Sequence, residues 1–205
     1  MEGARAITKA YLPFRPPPAT RKSMTDAPPD IPTDALIGAM ARRAEELFLS
    51  REMYCAEAIV CAVSEGLDGG LARERARGLA TGFGEGLGKA GCVCGALSGA
   101  VLASSWFLSA NLSPREVRAA SRELHDRFRE AHGATCCRVL TKPVKGDPAG
   151  HFAKCSGLTR FGAELAARVI LARLPSLAHG ATPPRPRTGA SRLASLLRRL
   201  ADALG

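Results

Sequence analysis

Seven cysteines, Cys55, Cys61, Cys92, Cys94, Cys136, Cys137 and Cys155, carry most of the chemistry available to this 205-residue chain. A thiolate attacks disulfides and binds soft metals, so the first issue is which of the seven can act together. Cys55 and Cys61 lie six apart, which on one helix is about 600°, or 240° round, so without a break between them they cannot share a site. Cys92 and Cys94 stand just before an apolar segment, inside a glycine run of Gly82, Gly84, Gly86, Gly88, Gly91 and Gly95. A thiol at a helix N-terminus faces unpaired N–H groups and the positive dipole end, which favours the thiolate. Cys94 is therefore the expected attacker in a thiol–disulfide reading, with Cys92, Cys137 or Cys155 as its resolving partner. The small residues behind it, Gly95, Ala96, Gly99 and Ala100, would let a neighbouring helix or an inorganic cluster come close. Cys136 and Cys137 follow a break at Gly133. Sequence neighbours seldom join each other, so one of the pair is expected to work and the other to be accessory. Taken alone, any of the seven is as readily an inert buried residue. Two close pairs in so short a chain argue for chemistry in the set.

Other ligand and cofactor patterns are weaker. His151 and Cys155 are four apart and share a helical face, while His132 lies five before Cys137. Zinc sites usually present two close ligand pairs, and only the His151 and Cys155 spacing qualifies, so zinc stands as an alternative. Gly86, Gly88 and Gly91 match the dinucleotide glycines by count, but no strand–turn–helix unit surrounds them. A phosphate loop is absent, since Lys89 is followed by Ala90 and Phe83 stands where its first glycine would fall. An odd cysteine count and no signal-type start argue against a secreted disulfide scaffold.

The elements that must position these residues read as helices. Hydrophobic residues make up 46% of the chain, charged ones 23% and aromatics only 5%, with Ala, Leu, Arg and Gly prominent over strand formers. Asp34 is placed as the cap of a first helix carrying Ile37, Met40, Ala44, Leu47 and Phe48 at helical spacing. A second is expected over 54–64, stopping at Gly66, and a third over 71–80. Residues 95–108 are apolar nearly all round and predict the buried central helix. Ser113, Pro114 and Glu116 give a cap, a first-turn proline and a capping-box acid for a helix ending at Gly133. A last core helix is expected over 158–174, after Cys155 and closed by Pro175. Nothing alternates with period two, so the expected fold is an all-α bundle of about five to six helices.

Proline and charge mark the boundaries. Seven of the 14 prolines lie in residues 1–34, which read as a disordered leader with Met24 as an alternative start. Residues 35–179 form the helical cysteine domain, and 180–205 a linker and a basic amphipathic helix. That last helix, 191–204, places Leu193, Leu196, Leu197, Leu200 and Leu204 opposite arginines, suited to a membrane surface, a protein partner or the chain's own core. The net charge of +10 divides into +1, +5 and +4 over these segments. No aromatics interleave with the tail arginines, so nucleic-acid binding is not expected. No apolar run is long enough for a membrane span. The default expectation is a soluble, cytoplasmic protein.

Taken together, the segments resemble the redox-active C_GCAxxG_C_C family, whose members are small helical proteins with four cysteines. Its motif reads here Cys94-Gly95-Ala96-Leu97-Ser98-Gly99, after the approach Phe83-Gly84-Glu85-Gly86-Leu87-Gly88. The first family cysteine matches Cys55 in Tyr54-Cys55-Ala56-Glu57-Ala58-Ile59-Val60, where the family often has asparagine in the place of Tyr54. The third matches Cys137, with Cys136 as the substitute, and the fourth matches Cys155; Cys61, Cys92 and Cys136 are extras. A similar domain accompanies split-Soret cytochrome c, where it is associated with an iron-sulfur centre. The resemblance thus implies an iron-sulfur cluster, of the two-iron type, held by Cys55, Cys94, Cys137 and Cys155 for electron transfer to a redox partner protein. Four ligands in one domain also leave room for sharing across a homodimer. No Cys-x-x-Cys-His segment is present, so haem is not expected. The rival readings are the thiol–disulfide oxidoreductase or sensor using Cys94, and a zinc or soft-metal module without sulfide.

Overall fold

The structure, a computed structural model, describes residues 32–179 together with 181 and 184. The expected leader, except for its last residues, and the expected helix over 191–204 lie outside the described residues. Among the described residues eight helices follow in chain order: α1 Thr33–Leu49, α2 Cys55–Gly66, α3 Arg73–Ala80, α4 Gly84–Leu87, α5 Gly95–Leu108, α6 Pro114–His132, α7 Cys137–Leu140 and α8 Pro148–Arg173. α7 is a single turn and α4 a turn whose backbone is left-handed at Glu85 and Gly86, which leaves six helices of substance. Among the described residues there is no strand, and the fold is all-α. No helix among them is long and apolar enough to cross a membrane.

α2 and α8 form the central pair, and α1 and α5 each pack against both. α3 leans on α2, and α6 lies across α5 and α8. The sequence places 95–108 at the centre; the helix bounds agree, but the centre belongs to α2 and α8. Close approach explains the arrangement. A side chain at Gly99 would strike the backbone of Ala56 in α2 at 2.8 Å, and one at Gly162 would strike the Ala96 carbonyl of α5 at 2.7 Å. Only bare backbone lets these helices sit so near. Amphipathic α6 instead contributes one stripe, with Ala120, Leu124 and Phe128 buried. Its larger side chains bring about 1.5–3 kcal/mol each from burial.

The local start signals account for most of the boundaries. Ser113 accepts from the Glu116 amide while Glu116 accepts from the Ser113 amide at 2.8 Å, with Pro114 opening the turn. At α1 the expected cap is displaced: Pro32 takes the capping position and Asp34 falls in the first turn, where it pairs with Arg168 at 3.0 Å. α8 begins ten residues before the expected 158. Asp147 accepts from the Gly150 amide at 3.0 Å and Pro148 opens the helix. Cys155 therefore sits inside α8, not ahead of it.

Candidate functional site

Four of the seven cysteines come together where the starts of α2, α5 and α7 meet the side of α8. Tyr54 takes the capping position of α2, and its amide donates to Glu57 Oε2 at 2.9 Å. The other Glu57 oxygen accepts from the Thr81 hydroxyl at 2.8 Å, so this carboxylate, only 2% exposed, is held from two sides. The result fixes Cys55 as the first residue of α2, buried, with the amide of Ala56 pointing at its sulfur. Cys94 caps α5 and is 2% exposed. Cys137 opens α7 and is half-buried, as is Cys155 on α8.

Two short segments bring Cys94 and Cys137 into register. The Cys94 amide donates to the Thr135 carbonyl at 2.8 Å, and the Arg138 amide donates to the Gly91 carbonyl at 3.0 Å. A disulfide between Cys92 and Cys136 joins the same segments. The Cys94 thiol donates to the Cys137 sulfur, which also accepts from the Gly95 amide. The glycines of the motif acquire a reason here. Any side chain at Gly95 would collide with the sulfur of Cys55, and Gly99 lets α2 approach one turn further on.

The electrostatics divide the four thiols. Hydrogen bonds from Cys94 and Gly95 bring Cys137 down to about 7, against the opposing effect of its burial. Cys94 is raised, first because it is the donor to Cys137 and second because it is buried. Burial pushes Cys55 up to about 12 and Cys155 up to about 11, with the charge of Cys137 adding to both. The expected thiolate at Cys94 is thus corrected. The Ala96 amide does point at its sulfur, as a helix start should, but donating to Cys137 from a buried site keeps its proton in place. Of the two, Cys137 is the one drawn down toward neutrality.

Cys92 and Cys136, expected as accessory thiols and Cys92 as a resolving partner, are instead bonded to each other. Cys61 faces elsewhere, as its angle round the helix requires, and its thiol donates to the Arg73 carbonyl at 3.7 Å. His132 packs between the rings of Phe128 and Phe161 at 4.8 and 4.6 Å, and burial lowers its pKa. His151 does line the site with Cys155. Among the described residues, no three His, Cys, Asp or Glu side chains are arranged to hold a metal ion.

A cavity of about 540 Å³ opens in front of the thiols. Cys55, Cys137 and Cys155 line it on one side, Phe48, Met53 and Phe152 supply apolar wall, and Arg51 and Arg138 stand among its charged groups. Sequence reasoning missed this cavity, because its walls come from five separated segments.

No curated protein and no solved structure matches the chain. A family model described as "Putative redox-active protein (C_GCAxxG_C_C)" matches residues 53–169, which is more than half of the chain and contains all four clustered thiols. With its motif built into the contact between α2 and α5, this chain belongs to the C_GCAxxG_C_C family of redox-active proteins.

Proposed function

We propose that the chain is a two-electron thiol redox protein in which Cys137 is the attacking thiolate and Cys94 the resolving thiol. The hydrogen bond from the Cys94 thiol to the Cys137 sulfur carries this reading. It pairs a half-buried sulfur, ionised near neutrality and facing a cavity, with a fully buried protonated one behind it. An attacking thiol works best with a pKa near ambient pH, and its resolving partner must lie within bonding reach. Burial and the charge of Cys137 together raise Cys55 and Cys155, which keeps both protonated beside the pair.

The test is thiol mapping on protein prepared without air. Mild oxidation should consume two thiols at once and yield a peptide linked through Cys94 and Cys137. Oxidation that leaves both free, or that scatters among the remaining cysteines, overturns the reading.

A second reading rests on the other two sulfurs. Cys55, Cys94, Cys137 and Cys155 come from four elements and lie close enough to raise or lower one another's proton affinity. In number and donor type they fit an iron-sulfur cluster, though among the described residues no group of three is arranged around a single ion. They would be its ligands, and when bound such a group supplies one-electron transfer. The amides of Ala56, Gly95 and Ala96, each directed at one of the sulfurs, would support thiolate charge there. Matched iron and acid-labile sulfide in anaerobically purified protein, lost in Cys55→Ser and Cys155→Ser but kept in Cys61→Ser, would establish this reading over the first.

A further inference from the structure

We infer that the cavity before Cys137 is a binding site for a small disulfide bearing carboxylate groups, which the Cys94 and Cys137 pair reduces. This inference rests on the dithiol reading above and adds its substrate class. At about 540 Å³ the cavity falls within the roughly 300–1,000 Å³ range of small-molecule sites.

Its charges select the ligand. The lining holds three carboxylates, and each is already engaged: Glu52 with Arg73 at 2.8 Å, Glu57 with the Tyr54 amide and Thr81 hydroxyl, and Glu85 with Lys89 at 3.7 Å. Arg51 and Arg138 have no carboxylate within ion-pair distance among the described residues. Arg51 lies over the Phe152 ring at 5.0 Å, and Arg138 runs along Gly91 beside Cys137. Both are exposed. Two unmatched guanidiniums flanking a thiol, with Phe48, Met53 and Phe152 for apolar contact, suit an anion with a short hydrocarbon and sulfur body.

The chemistry balances within one turnover. The Cys137 thiolate attacks one sulfur of the bound disulfide, the disulfide bond breaks, and the first ligand thiolate leaves. That thiolate takes the proton of Cys94. Cys94 then attacks the Cys137 sulfur in the mixed disulfide, expelling the second ligand thiolate, which is protonated from solvent. The ligand disulfide is reduced to two thiols, and the protein dithiol is oxidised to a Cys94–Cys137 disulfide.

The test is a single-turnover rate measurement on the reduced full chain with three probes: oxidised glutathione (anionic), cystamine (cationic) and 2-hydroxyethyl disulfide (neutral). Oxidised glutathione should react roughly tenfold or more faster than cystamine, as electrostatic selection allows. The preference should shrink towards parity in the Arg51→Ala, Arg138→Ala double variant, while the neutral probe reacts at an unchanged rate. Equal rates for the anionic and cationic probes, or a preference that survives the double variant, overturn the substrate inference. In either case, formation of the Cys94–Cys137 disulfide with the neutral probe shows that the dithiol reading itself stands. Preference for a disulfide-bonded protein over all three small probes would overturn the inference in favour of a macromolecular partner.

Discussion

The Cys94 thiol donates a hydrogen bond to the Cys137 sulfur, and this contact gives two cysteines at helix starts opposite proton affinities. Alkylation with neutral iodoacetamide should therefore single out Cys137, with a rate midpoint near pH 7. Removing the donor in Cys94→Ala should move that midpoint up by about one pH unit or more, since charge-directed hydrogen bonds contribute about 1.5–3 kcal/mol. Peptide mapping after brief alkylation at several pH values reads both quantities. Faster labelling of Cys55 or Cys155 at pH 7 would contradict this ordering.

The motif glycines predict a contrast in stability. Gly95→Ala sets a methyl against the Cys55 sulfur and lies 2.8 Å from the Phe83 carbonyl, so it should cost about 1–3 kcal/mol through overpacking. Gly157 also lies within a helix, α8, but a side chain there meets nothing within 4 Å. Gly157→Ala should instead stabilise by about 0.5–1 kcal/mol, the helix-propensity difference. Urea unfolding of the two variants against the parent chain decides between packing and composition as the reason for these glycines.

How far the sequence reveals this arrangement depends on whether the cause is local. The bounds of α5 are legible because an Ala and Leu segment buried on most sides needs no partner to announce it. The α6 start is legible because Ser113, Pro114 and Glu116 satisfy one another within four residues. The α8 start is not, since it rests on the Asp147 cap and Pro148, ten residues before the apolar spacing of 158–174 begins. The charge on Cys94 is misread for a related reason. A helix-start argument treats each thiol alone, whereas a sulfur arriving from α7 decides which of the two keeps its proton. The Cys92–Cys136 bond depends on two segments 44 residues apart lying side by side, which no spacing along one strand of sequence displays.

That bond yields its own prediction. Closing a loop of 44 residues removes chain entropy from the unfolded state, by roughly 3–5 kcal/mol in the loop-entropy account. The Cys92→Ser, Cys136→Ser double variant should lose stability on that scale. It should also broaden the Cys137 alkylation profile, because the bond holds the segments whose pairing sets Cys94 against Cys137. The backbone hydrogen bonds from Cys94 to Thr135 and from Arg138 to Gly91 remain, so the fold should survive for both measurements.

The raised thiols set the alkaline side of the stability curve. Cys55 and Cys61 are both buried and pushed from an ordinary 9.0 to about 12. A raised acid binds its proton more tightly in the folded state, so its contribution is complete below pH 9 and is lost as the unfolded thiols ionise above it. Cys137, lowered to about 7, runs the other way. Its contribution is absent below pH 7, grows between pH 7 and 9, and is constant above. Stability against urea should thus hold or rise slightly from pH 7 to 9 and fall from pH 9 to 11, by up to about 1.4 kcal/mol per pH unit for each buried thiol. Cys61→Ala isolates one of the raised thiols, because Cys61 lies outside the site and its thiol donates to the Arg73 carbonyl. That variant should flatten the alkaline slope by one thiol's share while leaving the rise below pH 9 in place, and an unchanged slope would move the cause away from the buried cysteines.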